Sequence, residues 1–86
     1  MKVVRVRCAE IRPDPASPGY PDQAVDVLAE SIRAQGLLRP ILLRRTPDGY
    51  VIVHGERRWR AVQVLGHATI VACLVLDVLH RSGGAL

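Results

Sequence analysis

The stretch that decides this fold is Gly55-Glu56-Arg57-Arg58-Trp59-Arg60-Ala61, which joins an apolar run to a helical one. The run before it, Tyr50-Val51-Ile52-Val53, has the composition of a buried strand and is followed by His54. The run after it, Glu56 to Leu65, has helical spacing of its apolar residues, and Gly66 stops it. A strand, a glycine and a helix start in this order present free backbone N–H groups and a positive dipole end to an anion.

The charges of this stretch are unusual for the first turn of a helix. Glu56 suits the position, whereas Arg57, Arg58 and Arg60 each cost a few tenths up to about 1 kcal/mol beside the positive dipole end. A local rule that is broken without visible compensation is typical of a functional site. Because a bound phosphate would remove the conflict, the stretch predicts a phosphate site formed by Gly55, the N–H groups after it, Arg57 and Arg58.

Helical phase separates the arginines of this second helix. With about 3.6 residues per turn, Ala61, Val62 and Leu65 define the inward face, and Arg58 lies on that face one turn earlier. We therefore expect Arg58 to point into the groove at the helix start and Arg60 to be solvated. A purely structural interpretation gives Arg57 and Arg58 carboxylate partners instead, namely Asp22, Asp26, Glu30 or Asp77.

The first half of the chain predicts a strand, an irregular loop and a helix. Lys2 to Arg7 alternates as a half-buried strand does. Four prolines make regular structure impossible between Arg12 and Pro21. Asp22 is a good N-cap for a first helix that Gly36 ends. The apolar stripe of this helix consists of Val25, Leu28, Ala29 and Ile32.

The second half predicts three more strands around the second helix. Ile41 to Arg44 and Tyr50 to Val53 form a hairpin through the turn at Thr46-Pro47-Asp48-Gly49. Ile70 to Leu76 is a continuous apolar strand, and Asp77 to Leu86 predicts a flexible tail. The order β-α-β-β-α-β indicates one α+β domain of 86 residues, a small mixed sheet with two main helices.

Composition limits the classes of protein and site. The net charge of +4 is carried by arginine, with Lys2 as the single lysine, and arginine favours bidentate phosphate contacts. Cys8 and Cys73 are too few and too scattered for a disulfide framework or a zinc site, so we expect both to be reduced. The three histidines lack the spacing of metal ligands. No charged-then-apolar leader and no run of about 18 apolar residues occurs, which predicts a soluble, intracellular protein.

Three of these segments resemble the ParB family of chromosome- and plasmid-partition proteins, whose N-terminal domain belongs to the ParB/sulfiredoxin group. The deciding stretch resembles the family's arginine box. Leu28-Ala29-Glu30-Ser31-Ile32 and Gly36-Leu37-Leu38-Arg39-Pro40-Ile41 resemble its Leu-Ala-x-Ser-Ile and Gly-Leu-x-x-Pro-Ile segments. The matches cover about Val3 to Val75. The resemblance implies a ParB/sulfiredoxin-like fold and a cytoplasmic, prokaryotic protein associated with a nucleoid or plasmid.

The resemblance also implies a ligand. In the ParB family the arginine box contacts the triphosphate of CTP, which places Gly55, Arg57 and Arg58 at the phosphates. The family's Gly-Leu-x-x-Pro segment lies by the cytidine base, and its residues here are Gly36, Leu38 and Pro40. The box glutamate, here Glu56, is implicated in handling metal and hydrolysis, which implies that Mg²⁺ accompanies CTP and that CTP hydrolysis is weak or absent. The alternative for Glu56 is a plain acid at a helix N-terminus.

The chain departs from the family pattern in two ways. ParB proteins carry a second phosphate- and metal-contacting helix, a helix-turn-helix and a dimerising tail, which these 86 residues do not include. We therefore expect a full clamp cycle and specific DNA recognition to need more than this chain. Sulfiredoxins place a cysteine in the loop that reads Gly55-Glu56-Arg57-Arg58 here, which argues against sulfinic-acid reductase activity.

Three functions remain open beside a CTP-binding partition module. A small phosphotransfer enzyme resembling free-serine kinases, or a nuclease, would use the same pocket. An adaptor that binds DNA without sequence preference would use only the basic charge. Trp59 flanks the inward face of the second helix, so we expect it to pack in the core rather than to stack on bases.

Overall fold

The computed structural model describes residues 2–17, 19–36 and 39–75 of the chain. The elements are β1 (Lys2–Arg7), a 3-10 turn (Cys8–Glu10), β2 (Ile11–Arg12), α1 (Asp22–Gln35), β3 (Ile41–Thr46), β4 (Gly49–His54), α2 (Glu56–Val64) and β5 (Thr69–Leu74). The predicted α+β class and element order are confirmed, with the short β2 as an addition. Leu76 and the predicted tail, Asp77 to Leu86, lie outside the described residues. No helix in the described part of the chain is both long and apolar enough to cross a membrane.

The five strands form one mixed sheet in the order β1-β5-β3-β4-β2. β5 pairs with β1 in antiparallel and with β3 in parallel orientation. β3 and β4 form the predicted antiparallel hairpin, and β2 runs parallel along the other side of β4. The continuous apolar character of β5 agrees with its place inside the sheet, where it has a neighbour on each side.

Both helices pack on one face of the sheet and on each other, because one cluster contains the buried side chains of all these elements. The strands contribute Val6, Ile11, Ile41, Leu43, Ile52, Ile70 and Ala72. The helices contribute Val25, Ala29 and Ile32 from α1, and Ala61 and Val62 from α2. Leu28, Trp59 and Leu65 are partly buried against this cluster. The predicted inward faces of the two helices are confirmed.

The sequence prediction was wrong for the N-cap of α1 and is confirmed for the end of the helix. Asp22 is not the N-cap, because Pro21 occupies that position and the helix has no side-chain cap hydrogen bond. Asp22 instead lies in the first turn, where its Oδ1 accepts a hydrogen bond from Arg60 at 2.7 Å. The predicted stop is confirmed: Gly36 has φ of 80° and donates its N–H to the carbonyl of Ile32.

The two cysteines are free, as predicted. Cys8 is buried in the core cluster, and burial raises the pKa of its thiol. Cys8 therefore behaves as a small apolar residue that holds its proton at neutral pH.

Candidate anion site at the start of the second helix

Gly55 forms the junction between β4 and α2, where it is the N-cap with φ of 113° and ψ of 24°. A Cβ atom added to it would lie 2.7 Å from Cγ2 and 2.8 Å from Cβ of Ile41. Ile41 is fully buried in the core, so it has little room to yield. The glycine is therefore required by the left-handed backbone and by the contact with β3.

Among the described residues, no acceptor pairs with the first backbone donors of α2. The Gly55 carbonyl accepts the first helical hydrogen bond, from the N–H of Trp59 at 3.0 Å. The N–H groups of Glu56, Arg57 and Arg58 precede that bond, and no side chain caps the helix. An anion placed at this end would accept from these groups and face the positive end of the helix dipole.

Two concavities adjoin at this helix start. The smaller, of about 60 Å³, is lined by Tyr20, His54, Gly55, Glu56, Arg57 and Arg58, and we call it the box cleft. The larger, of about 230 Å³, shares Tyr20, His54, Gly55 and Glu56 with it and reaches the loop between β2 and α1. The structure thus brings the four predicted residues of the Gly55-Glu56-Arg57-Arg58 stretch to one concave surface.

Arg57 and Arg58 line the box cleft without a carboxylate partner in the described part of the chain. The salt bridges found there involve other arginines, and none includes either residue. The guanidinium of Arg57 instead lies over the ring of Tyr20, 5.5 Å from its centroid. Asp77, one of the partners considered from the sequence, lies outside the described residues.

Arg60 is only partly solvated, because its guanidinium is paired, so the sequence prediction of a solvated side chain was wrong. Its guanidinium donates to the carbonyl of Tyr20 and to Oδ1 of Asp22, each at 2.7 Å. Its side chain is 31% exposed, while that of Asp22 is 91% exposed. Arg60 therefore ties α2 to the start of α1, because the loop brings Tyr20 and Asp22 beside it.

Glu56 is held by a residue that sequence reasoning did not single out. The hydroxyl of Ser17 donates to Oε1 of Glu56 at 2.6 Å, and the Ser17 oxygen accepts the N–H of Gly19 at 3.3 Å. Ser17 and Tyr20 both belong to the proline-rich segment, for which the sequence predicts only an irregular loop. The signal that would have pointed to them is proline itself, because fixed φ values stiffen a loop enough to form a wall.

Two of the three proposed base-side residues, Gly36 and Pro40, lie within the described part of the chain. Pro40 precedes Ile41, which contacts the junction at Gly55, whereas Gly36 lies at the exposed end of α1. Neither residue lines the box cleft. Leu38 lies outside the described residues. No group of three or more His, Cys, Asp or Glu side chains among the described residues is arranged to hold a metal ion.

A mixed sheet whose fourth strand leads through a glycine into a basic helix start is the layout expected from the resemblance. The ParB N-terminal domain family model matches residues 1–82, and the chain belongs to this family. The chromosome-partitioning protein Spo0J of Thermus thermophilus is 43% identical over 81 residues. That match covers 92% of this chain and 30% of the relative, so the chain spans under a third of its length.

Solved structures agree with the fold. ParB from Caulobacter crescentus, C-terminally truncated and complexed with CTP-gamma-S, superposes with a TM-score of 0.77 and 33% identity, covering 91% of this chain and 47% of that chain. The same protein complexed to the centromeric parS site gives 0.73 at 33% identity, covering 94% and 45%. A free serine kinase in complex with ADP gives 0.75 at 26% identity, covering 90% and 32%.

Proposed function

We propose that this domain is a nucleotide-binding module of bacterial DNA partition that holds the phosphates of CTP at the N-terminus of α2. The observation that carries the proposal is the position of Arg57 and Arg58 in the box cleft, beside three N–H groups for which the described residues offer no acceptor. Within the described residues neither arginine has a carboxylate partner. The similarity to ParB complexed with CTP-gamma-S supports CTP as the nucleotide, and the chromosome-partitioning relatives support a place at the bacterial nucleoid.

The roles divide along the first turn of α2. The backbone N–H groups after Gly55, with Arg57 and Arg58, bind the phosphates through charge-assisted hydrogen bonds. Glu56 already accepts from Ser17 through Oε1, and its other oxygen remains for Mg²⁺ or for a water molecule in slow hydrolysis. The base side consists of Gly36, Leu38 and Pro40.

The test is calorimetric titration of the domain with CTP, UTP, ATP and GTP, each with and without Mg²⁺. We expect heat and saturation with CTP and much weaker signals with the other three. Absence of CTP binding under both metal conditions would contradict the proposal.

Arg58→Ala is expected to weaken CTP binding by about 1.5–3 kcal/mol, the range for a hydrogen bond to a charged group. The free energy of unfolding should stay nearly unchanged, because the substitution also removes a cation from the positive end of α2. Calorimetry measures the first quantity and urea unfolding the second.

Arg45→Ala is the matched control for Arg58→Ala. It removes the same charge from an exposed position on β3, where the guanidinium lies 5.8 Å from the ring centroid of Tyr50 and outside the box cleft. Its CTP affinity should equal that of the wild type. Equal losses in both variants would show that net charge, and not the cleft, governs binding.

A second candidate function is phosphotransfer from ATP to a small hydroxyl substrate. The similarity to a free serine kinase in complex with ADP favours it. It predicts preference for ATP or ADP in the titration, and production of ADP when ATP, Mg²⁺ and free serine are supplied together. Preference for CTP without turnover of ATP excludes this candidate.

Isolated, this domain is expected to bind duplex DNA only weakly and without sequence preference. Asp26 of α1 is exposed and repels phosphates, while Asp22 is paired with Arg60 and Glu30 with Arg33, so these pairs offer little free positive charge to DNA. Base recognition needs side chains that reach base edges from an element in the groove. We expect dissociation constants of about 10⁻⁴–10⁻⁶ M at physiological salt, rising steeply with salt.

A competition gel-shift with a labelled parS-type site measures this directly. Random duplex should displace the site at comparable concentration. A complex that survives about a hundredfold excess of random duplex, roughly 2.7 kcal/mol of discrimination, would mean that the domain reads bases.

A further inference from the structure

Tyr20 joins three parts of the candidate site. Its carbonyl accepts a hydrogen bond from Arg60 at 2.7 Å, which fixes the backbone of the loop to α2. The next residue, Pro21, is the N-cap of α1, and the N–H of Gly19 donates to the Ser17 hydroxyl at 3.3 Å, so the chain is held on both sides of Tyr20. The side chain itself is outside the core cluster, and the residue is 41% exposed. The backbone that places the ring at the box cleft is therefore held by contacts in which the ring takes no part.

Among the described residues, the guanidinium of Arg57 contacts the ring of Tyr20. The guanidinium lies 5.5 Å from the ring centroid, within the distance of a cation–π interaction. Arg57 is otherwise exposed and has no salt bridge in the described part of the chain. Without the ring, its long side chain would sample many rotamers at the helix start, and ordering it would oppose ligand binding.

On the basis of the CTP-binding function proposed above, we infer that Tyr20 is a positioning residue, whose aromatic face holds the guanidinium of Arg57 at the box cleft for the nucleotide's phosphates. The ring acts before the ligand arrives, because it restricts Arg57 in the free protein. Restricting a binding group in its bound arrangement increases affinity by lowering the entropy lost on binding. The aromatic face is what matters, and the phenolic hydroxyl has no part in it.

The test is a double-mutant cycle between Tyr20 and Arg57 with CTP titrated into each variant in the presence of Mg²⁺. Tyr20→Leu should weaken CTP binding about two- to fivefold, which corresponds to a cation–π interaction at an exposed site. In the background of Arg57→Ala the same substitution should change the affinity by less than its effect in the wild type, because the group that it positions is absent.

Tyr20→Phe is the matched variant that separates the aromatic face from the hydroxyl. It should bind CTP as the wild type does, and it should keep the ring-current shifts of the Arg57 side-chain protons in NMR spectra of the free protein. Tyr20→Leu should lose those shifts while its far-UV circular dichroism and thermal unfolding stay close to the wild type.

Four outcomes of these titrations overturn the role of Tyr20. Equal CTP affinity of Tyr20→Leu and the wild type shows that the ring does not assist binding. Tighter binding by Tyr20→Leu shows that the ring holds Arg57 back. If Tyr20→Leu lowers CTP affinity as much in the Arg57→Ala background as in the wild type, the tyrosine acts on the ligand itself. A loss of CTP affinity in Tyr20→Phe has the same meaning. If the wild type binds no CTP, the proposed function fails and the role of Tyr20 fails with it, which the first titration reveals.

Discussion

Gly55→Ala is expected to lower the free energy of unfolding by about 2–5 kcal/mol. An alanine in left-handed backbone costs about 1–2 kcal/mol, and Gly55 has φ of 113°. The new methyl would lie 2.7 Å from Cγ2 of Ile41, a fully buried side chain. Forcing one extra carbon into a packed core costs a further 1–3 kcal/mol, approximately. Because small domains have little stability to spare, the variant should be largely unfolded at moderate urea concentrations.

Gly66→Ala is the control that separates the two contributions. Gly66 also has positive φ, of 84°, but an added Cβ would meet no atom within 4 Å. Gly66→Ala should therefore lower the free energy of unfolding only by the backbone contribution, about 1–2 kcal/mol. Urea unfolding followed by circular dichroism gives both values. Equal losses of unfolding free energy in Gly55→Ala and Gly66→Ala would mean that the close approach of Gly55 to Ile41 does not affect folding stability.

Trp59→Ala is expected to cost about 3–5 kcal/mol of folding stability, the range for removing a large aromatic side chain from a core. The indole packs against the core cluster, and its Nε1 donates to the carbonyl of Cys8 at 3.3 Å. It thereby joins α2 to the turn after β1. Since the residue is only partly buried, we expect a value near the lower end of the range.

Trp59→Phe keeps most of the buried ring and removes the hydrogen bond. We expect it to cost about 1 kcal/mol, the usual net contribution of one such bond. Thermal and urea unfolding of both variants measure the difference. A folded Trp59→Ala domain with wild-type stability that has lost binding to CTP or nucleic acid would show that the indole is a ligand contact and not a packing residue.

The local elements could be predicted because their determinants lie within a few residues of one another. The apolar stripe of α1 and its stop at Gly36, the hairpin of β3 and β4, and the helix after Gly55 all follow from spacing and glycine positions. The basic first turn of α2 could be recognised as a candidate phosphate site for the same reason, since a helix dipole and three arginines conflict within a single turn. The family could be recognised from short ordered motifs, and the match to the ParB N-terminal domain confirms it.

The part that Ser17 and Tyr20 play in the site could not be predicted, because their contacts are with residues far away in the chain. Ser17 meets Glu56, and Tyr20 meets both Arg57 and Arg60, across the whole of α1 and the hairpin. Proline content predicted irregular structure for this loop but not where the loop would lie. The solvated position expected for Arg60 failed for this reason, since helical phase describes a helix surface without its neighbours.

Local sequence was enough to identify both helices and four of the five strands, the apolar face of each helix and the place where helix N–H groups and positive charge coincide. The short strand β2 and its pairing with β4, the strand order and the reason for Gly55 follow from the tertiary structure alone. Periodicity and capping are properties of consecutive residues, so they can be read along the chain. Strand order and the contact between Gly55 and Ile41 depend on which apolar faces share one core. That choice is made by packing among distant segments, which no local pattern specifies.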